Sequence, residues 1–188
     1  MANISRKGFW PKNRVDGQDL LFIVDAASGT AMFRGDIVSA VAAGAVNPAA
    51  ADDGNIVVGT VLELFDTNMI PVGRWGSLVS TKYLTASTAG YALVALALPG
   101  RVFTCQTDTI ITAAAIFASS NHVAGAGSTT TGESAHTLSG TSLNTGAQVF
   151  IAPNSVNDPT NDITLANAKW QVIFNEGIFM GTGKATGV

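Results

Sequence analysis

Charge is what this sequence has least of. Asp, Glu, Lys and Arg make up 12% of the 188 residues, against about 25% in an ordinary soluble domain. The apolar share, 47%, is ordinary, so the solvent-facing surface has to be built from Thr, Ser, Asn and Gly. With a net charge of only −3, little repulsion keeps copies apart at high concentration. Such a chain suits an assembly better than free solution.

Cysteine is nearly absent as well. The single Cys105 excludes a disulfide framework within one chain. It lies in the alternating run Val102–Gln106, where a small apolar side chain reads as core. Long apolar runs are missing: the longest, Tyr91–Pro99, is half of the about 18–20 residues that a membrane helix needs. No membrane partner is expected. Met1–Arg14 carries charge with no apolar stretch after it, so no secretory signal is expected there either.

The charge that is present is split. Arg6, Lys7, Lys12 and Arg14 precede the first acid, Asp16, whereas the remainder holds six basic and thirteen acidic side chains. Phe9, Trp10 and Pro11 form an apolar anchor among those cations, and Pro11 biases Trp10 towards extended backbone. The reading is an extended basic arm over residues 1–19 and a β-rich body over 20–188. In it, Arg6, Lys7, Phe9, Trp10, Lys12 and Arg14 contact a neighbouring subunit, because fixing a terminal arm needs partners for its backbone.

Strand-like runs follow at Leu20–Ala26, Ala31–Val38, Ile56–Leu64, Gly76–Leu84, Tyr91–Leu98, Arg101–Thr107, Ala147–Ala152 and Lys169–Phe174. Gly, Pro, Asn and Ser/Thr clusters separate them, and Ser28–Gly29 suggests a hairpin between the first two. Many short strands with frequent turns predict an all-β barrel or sandwich of antiparallel strands. One short helix is expected at Thr109–Ser119, capped by Asp108 or Thr109.

The candidate chemistry is thin. Gly127–Ser134 has the spacing of a phosphate-binding loop, but Glu133 stands where the phosphate-neutralising Lys belongs. A polar turn is therefore expected instead. His122 and His136 flank that loop; their spacing fits no metal pattern, and among Ser, Thr and Gly they read as solvent-facing. No Gly-x-Ser-x-Gly elbow is present, and no pair among the acids stands out for glycoside chemistry. The Asp52–Asp53 pair reads as turn chemistry. The acidic body argues against nucleic acid as a partner. No enzyme, metal or cofactor is expected. Trp75, Trp170, Phe103, Phe117 and Phe174 read as core or interface aromatics.

Three segments in order carry a likeness: Ala31-Met32-Phe33-Arg34-Gly35-Asp36-Ile37-Val38, then Ala124–Ser134, then Asn167-Ala168-Lys169-Trp170-Gln171-Val172. A strand like Tyr91–Val94 leading into Phe103 belongs to the same pattern. Over most of residues 20–175 the chain resembles head-decoration (cement) proteins of tailed bacteriophages. The arm and the small residues near 40–52 fall outside the likeness. The resemblance implies a non-catalytic virion protein on the capsid exterior. It would bind the major capsid protein as a homotrimer where hexamers and pentamers meet, stabilising the head without a cofactor. The arm would lie on the capsid protein or on a sister copy. Another virion part, a tail or head-tail connector protein, is the alternative; a carbohydrate-binding β-domain stands behind it.

Overall fold

The computed structural model describes residues 7–12, 17–41, 44–51, 56–112, 115–143, 149–155, 161–175 and 177. Twelve strands are described: β1 (Trp10–Pro11), β2 (Asp19–Val24), β3 (Ile37–Ala40), β4 (Ala45–Pro48), β5 (Val57–Phe65), β6 (Gly90–Leu96), β7 (Val102–Gln106), β8 (Ser119–Ser120), β9 (His122–Val123), β10 (Thr137–Leu138), β11 (Val149–Ser155) and β12 (Lys169–Phe174). The all-β class expected from the turn spacing is the class found.

Five strands close into a barrel in the order β2-β4-β3-β5-β6. Closure removes the unpaired strand edges that an open sheet would expose. Beside it lies a five-stranded antiparallel sheet, β1-β7-β12-β11-β8, and a small β9–β10 pair. The barrel is not wholly antiparallel, since β2 runs parallel to β4 through Ile23↔Ala45 and Val24↔Val46. Nor does β2 form a hairpin with β3; its long partner is β6, from Asp19↔Ala95 to Val24↔Gly90. The turn at 28–29 therefore leads into a crossover.

Alternation along β3, β5 and β6 explains why these strands read as continuous apolar runs. Val38, Val58, Val61, Leu64, Ala92 and Val94 fill the barrel, while Ile37, Val57 and Ala95 face a second core. That second core is completed by Phe103, Cys105, Trp170, Val172 and Phe174 from the neighbouring sheet. Strands buried on both faces lose the polar-out alternation that one-sided strands show. Two cores thus share one barrel wall. Gly59 sits where β5 and β6 come closest: a Cβ there would stand 2.0 Å from the Ala95 carbonyl oxygen.

Two expected elements do not form. Among the described residues of 109–119 there is no α-helix, only a 3₁₀ turn at Ala115 with i→i+3 bonds from Ala115 N–H to Thr112 and from Ala118 N–H to Ala115 (2.9 Å each); Ile110 and Phe117 are exposed, Ile111 is buried, and Phe117 has φ of 66°. A left-handed residue interrupts a right-handed helix, and β-branched Thr109, Ile110, Ile111 and Thr112 add little helical preference to oppose it. The strand expected at Gly76–Leu84 is instead part of a loop, bridged to the body through Leu84↔Met32.

Candidate functional site

The predicted arm is the natural place to begin. Phe9 is 0% exposed, with its ring 5.9 Å from that of Phe174, which meets Phe103 edge-on at 4.9 Å. β1 pairs with β7 through Trp10↔Thr104 and Pro11↔Phe103. Three backbone bonds fix its ends: Gly8 N–H to the His136 carbonyl (3.0 Å), Phe9 N–H to Gly35 (2.9 Å) and Lys12 N–H to Val102 (2.9 Å). Residues 7–12 are thus an edge strand of the body and not a free arm, and Phe9 fills its own chain's core. Its side chain is not available to a partner.

Trp10 is half-buried and donates its indole N–H to the Lys7 carbonyl at 2.9 Å. Its ring lies over Gly35, where a Cβ would approach within 2.8 Å and where φ is +90°. Lys12 Nζ reaches Gln171 Oε1 at 3.4 Å. Lys7 is half-exposed. Arg6 and Arg14 lie outside the described residues, as do Asp52 and Asp53.

The phosphate-loop lookalike is a tight turn. Ser128 N–H bonds to the Glu133 carbonyl (2.8 Å) and Gly132 N–H to Ser128 (2.8 Å), and Arg34 Nη2 donates to the Thr131 carbonyl at 3.1 Å. No helix follows it, so its N–H groups do not converge as a phosphate cradle does.

The two histidines overturn the solvent-facing expectation. Both are buried, and their rings stack at 5.1 Å. His136 Nδ1 accepts the Ile37 N–H (3.2 Å), which in the neutral ring puts the proton on Nε2, facing Asp36 Oδ1 at 3.5 Å. His122 Nε2 lies 3.1 Å from the Ala49 carbonyl, which can only accept. Asp36 Oδ2 takes the Phe33 N–H (2.7 Å), while Oδ1 has no hydrogen bond. Burial drives the Asp36 carboxyl up to about 7, against the bonds from Ser134 and Phe33. Burial, helped by His122, drives His136 down to about 3. Both effects favour the uncharged pair. Among the described residues no group of three His, Cys, Asp or Glu side chains is arranged to hold a metal ion.

Asp36 and His136 form the floor of a cavity of about 470 Å³. Phe33 and Tyr83, stacked at 4.6 Å, make one side, and the exposed Ala50, Ala124 and Ala126 stand at its rim.

A second feature went unread in the sequence. Asp66 is buried at the end of β5 and accepts four bonds: Asn68 N–H and Ile70 N–H on Oδ1 (2.9 Å each), Ser77 Oγ–H (3.1 Å) and Leu78 N–H (2.6 Å) on Oδ2. Burial works against its charge, and these bonds outweigh it, holding the carboxyl below the usual range. The loop so braced presents Trp75 wholly exposed, with Leu78 68% and Met69 46% exposed. Leu21 and Ile23 on the outer wall of β2 are also exposed, beside their half-buried β6 partners Leu93 and Tyr91. Asp66-Thr67-Asn68 is the turn chemistry that could have signalled this loop. Trp170 and Cys105 are core residues, as expected, and burial raises the Cys105 thiol's pKa.

Compared with protein-family models, curated proteins and solved structures, the chain matches none.

Proposed function

We propose that the chain is a non-catalytic capsid decoration protein of a tailed bacteriophage, seated on the outside of the head and strengthening its subunit junctions. The observation that carries this reading is the set of large apolar side chains held out to solvent on braced backbone: Trp75 and Leu78 on the Asp66 loop, Leu21 and Ile23 on the barrel wall. Exposed apolar surface on a rigid scaffold is the mark of a binding face. Interface energy concentrates in a few such anchors, Trp foremost. A surface with so few charges loses little to desolvation when covered. The likeness to cement proteins over residues 20–175 supplies the partner, the major capsid protein, and the homotrimer.

The work of such a protein is binding energy spread across junctions, with no bond made or broken. Incubating purified heads with the protein and counting bound copies tests it. Saturable binding in proportion to the shell subunits, with heads that withstand higher temperature, is the expected result. Copies limited to a single ring at one vertex would point to a connector, and no binding would end the capsid reading.

A further inference from the structure

The loop after β5 carries positive charge with no acid to balance it. No Asp or Glu stands between Asp66 and Asp108, and Asp66 itself is buried under four hydrogen bonds. That stretch holds Arg74, Lys82 and Arg101, in a chain whose net charge is −3. Arg101 is buried against Asp19. Arg74 and Lys82 are exposed, and neither has an ion-pair partner among the described residues. Glu133 follows Gly132, which packs on the Lys82 backbone, but it is half-buried and lines a separate groove with Lys7.

Both cations stand at the Trp75 tip. Arg74 is its chain neighbour, and Lys82 lies beside Gly73, where an added Cβ would come within 3.1 Å of the Lys82 Cα. The tip is shaped before any partner arrives. Gly73 N–H bonds to the Val79 carbonyl and Ser77 N–H to Arg74 (3.1 Å each), and Leu78 N–H is held by Asp66. Met69 is kept at φ of 63°, a left-handed backbone that a side-chain-bearing residue holds only where its surroundings fix it. A surface ordered in advance gives up little freedom on binding. Trp75, Leu78 and Met69 are thus an exposed apolar centre flanked by two unpaired cations.

We propose that the Trp75 loop docks into an apolar pocket rimmed by carboxylates on the shell protein it binds. Charge complementarity selects that partner: Asp or Glu at the rim would face Arg74 and Lys82, whereas a basic rim would repel them. An anionic lipid surface has the same sign, but recognition there takes clusters of about four to eight cations, and the net charge of −3 opposes it. The inference rests on the capsid reading and names the chemistry of the partner's surface.

Association and dissociation rates on purified heads, measured across salt, test it. Wild-type association should slow by at least about tenfold between about 0.01 M and about 1 M salt, as the screening length shrinks from about 30 Å to about 3 Å. Arg74→Glu combined with Lys82→Glu should slow low-salt association by about tenfold or more and approach wild type at high salt. Arg74→Gln with Lys82→Gln, the second variant should the reversal fail to fold, should show a smaller effect of the same sign. Trp75→Ala should act on dissociation instead. Association indifferent to salt, or undiminished by charge reversal, would overturn this inference and leave the capsid reading standing. Heads that bind no protein would end both. Tighter binding to vesicles of phosphatidylcholine and phosphatidylserine than to heads would place the loop at a lipid surface and overturn it as well.

Discussion

Replacing Phe9 by Ala separates a core strand from a free arm. The ring is wholly buried, packed on Phe174 and within the cluster that holds Phe103, Trp170 and Val172. Phe→Ala at such a site removes the transfer energy of the ring and leaves a void, together about 3–5 kcal/mol. The backbone bonds of Gly8, Phe9 and Lys12 need no side chain and stay, so the strand remains in place while its plug is lost. Against a total stability of about 5–15 kcal/mol, the variant should remain folded but weakened. Its melting temperature should fall by roughly 6–20 °C, at about 2–4 °C per kcal/mol for a chain of this size. Urea unfolding followed by circular dichroism should show a lower midpoint with an unchanged slope. A loss below about 1 kcal/mol would refute the placement of Phe9, because even a partly relaxed void at a buried Phe costs more.

Asp36 and His136 make opposing contributions to stability against pH. Asp36, raised to about 7 from 3.8, keeps a proton that the unfolded chain releases, so its contribution is lost as pH rises between those values. His136, lowered to about 3 from 6.5, refuses a proton that the unfolded chain takes up, so its contribution is lost as pH falls through that range. The two nearly cancel between about pH 4 and 6.5, where wild-type stability should be flat. Asp36→Asn should expose the histidine alone, stability then rising by roughly 1.4 kcal/mol per pH unit over the same window. A variant as flat as wild type in urea midpoints would contradict the pairing. Gly59→Ala should lower the melting temperature by the equivalent of about 1–3 kcal/mol, since its Cβ meets the Ala95 carbonyl at 2.0 Å; an unchanged melt would mean that the strands part more easily than their packing implies. Asp66→Asn keeps an acceptor for Asn68 and Ile70 but turns an N–H₂ towards the Leu78 N–H. Trypsin should then cut faster after Arg74, and an equal rate would show that the loop does not rely on this carboxylate.

Strands with local signals were legible in the sequence. Lys169–Phe174 forms as read, and the long β5 and β6 follow from apolar runs bounded by turns. Pairing was not legible: β2 joins β6, some seventy residues on, and β4 in parallel, choices made by closure of the barrel and not by any neighbouring turn. Phe9 reads as apolar in the sequence but fills its own chain's core rather than a partner's surface, because burial in one's own core and burial in a partner's leave the same trace in sequence. His122 and His136 were missed for a related reason. Their Ser, Thr and Gly neighbours suggest solvent, and only the packing of β9 and β10 against the barrel, where His136 meets Ile37 and Asp36, buries them. The exposure of Trp75 depends on Asp66: the local bonds from Asn68 and Ile70 follow from the Asp66-Thr67-Asn68 turn signal, whereas those from Ser77 and Leu78, eleven and twelve residues on, leave no local pattern.

The most direct test of the central claim is the number of copies bound per purified head, measured by quantitative mass spectrometry after adding the protein to undecorated shells. The account predicts saturation in fixed proportion to the major capsid protein, with Trp75→Ala or the paired change Leu21→Ser and Ile23→Ser lowering occupancy while the body stays folded. A protein that leaves washed heads bare at every concentration would contradict it.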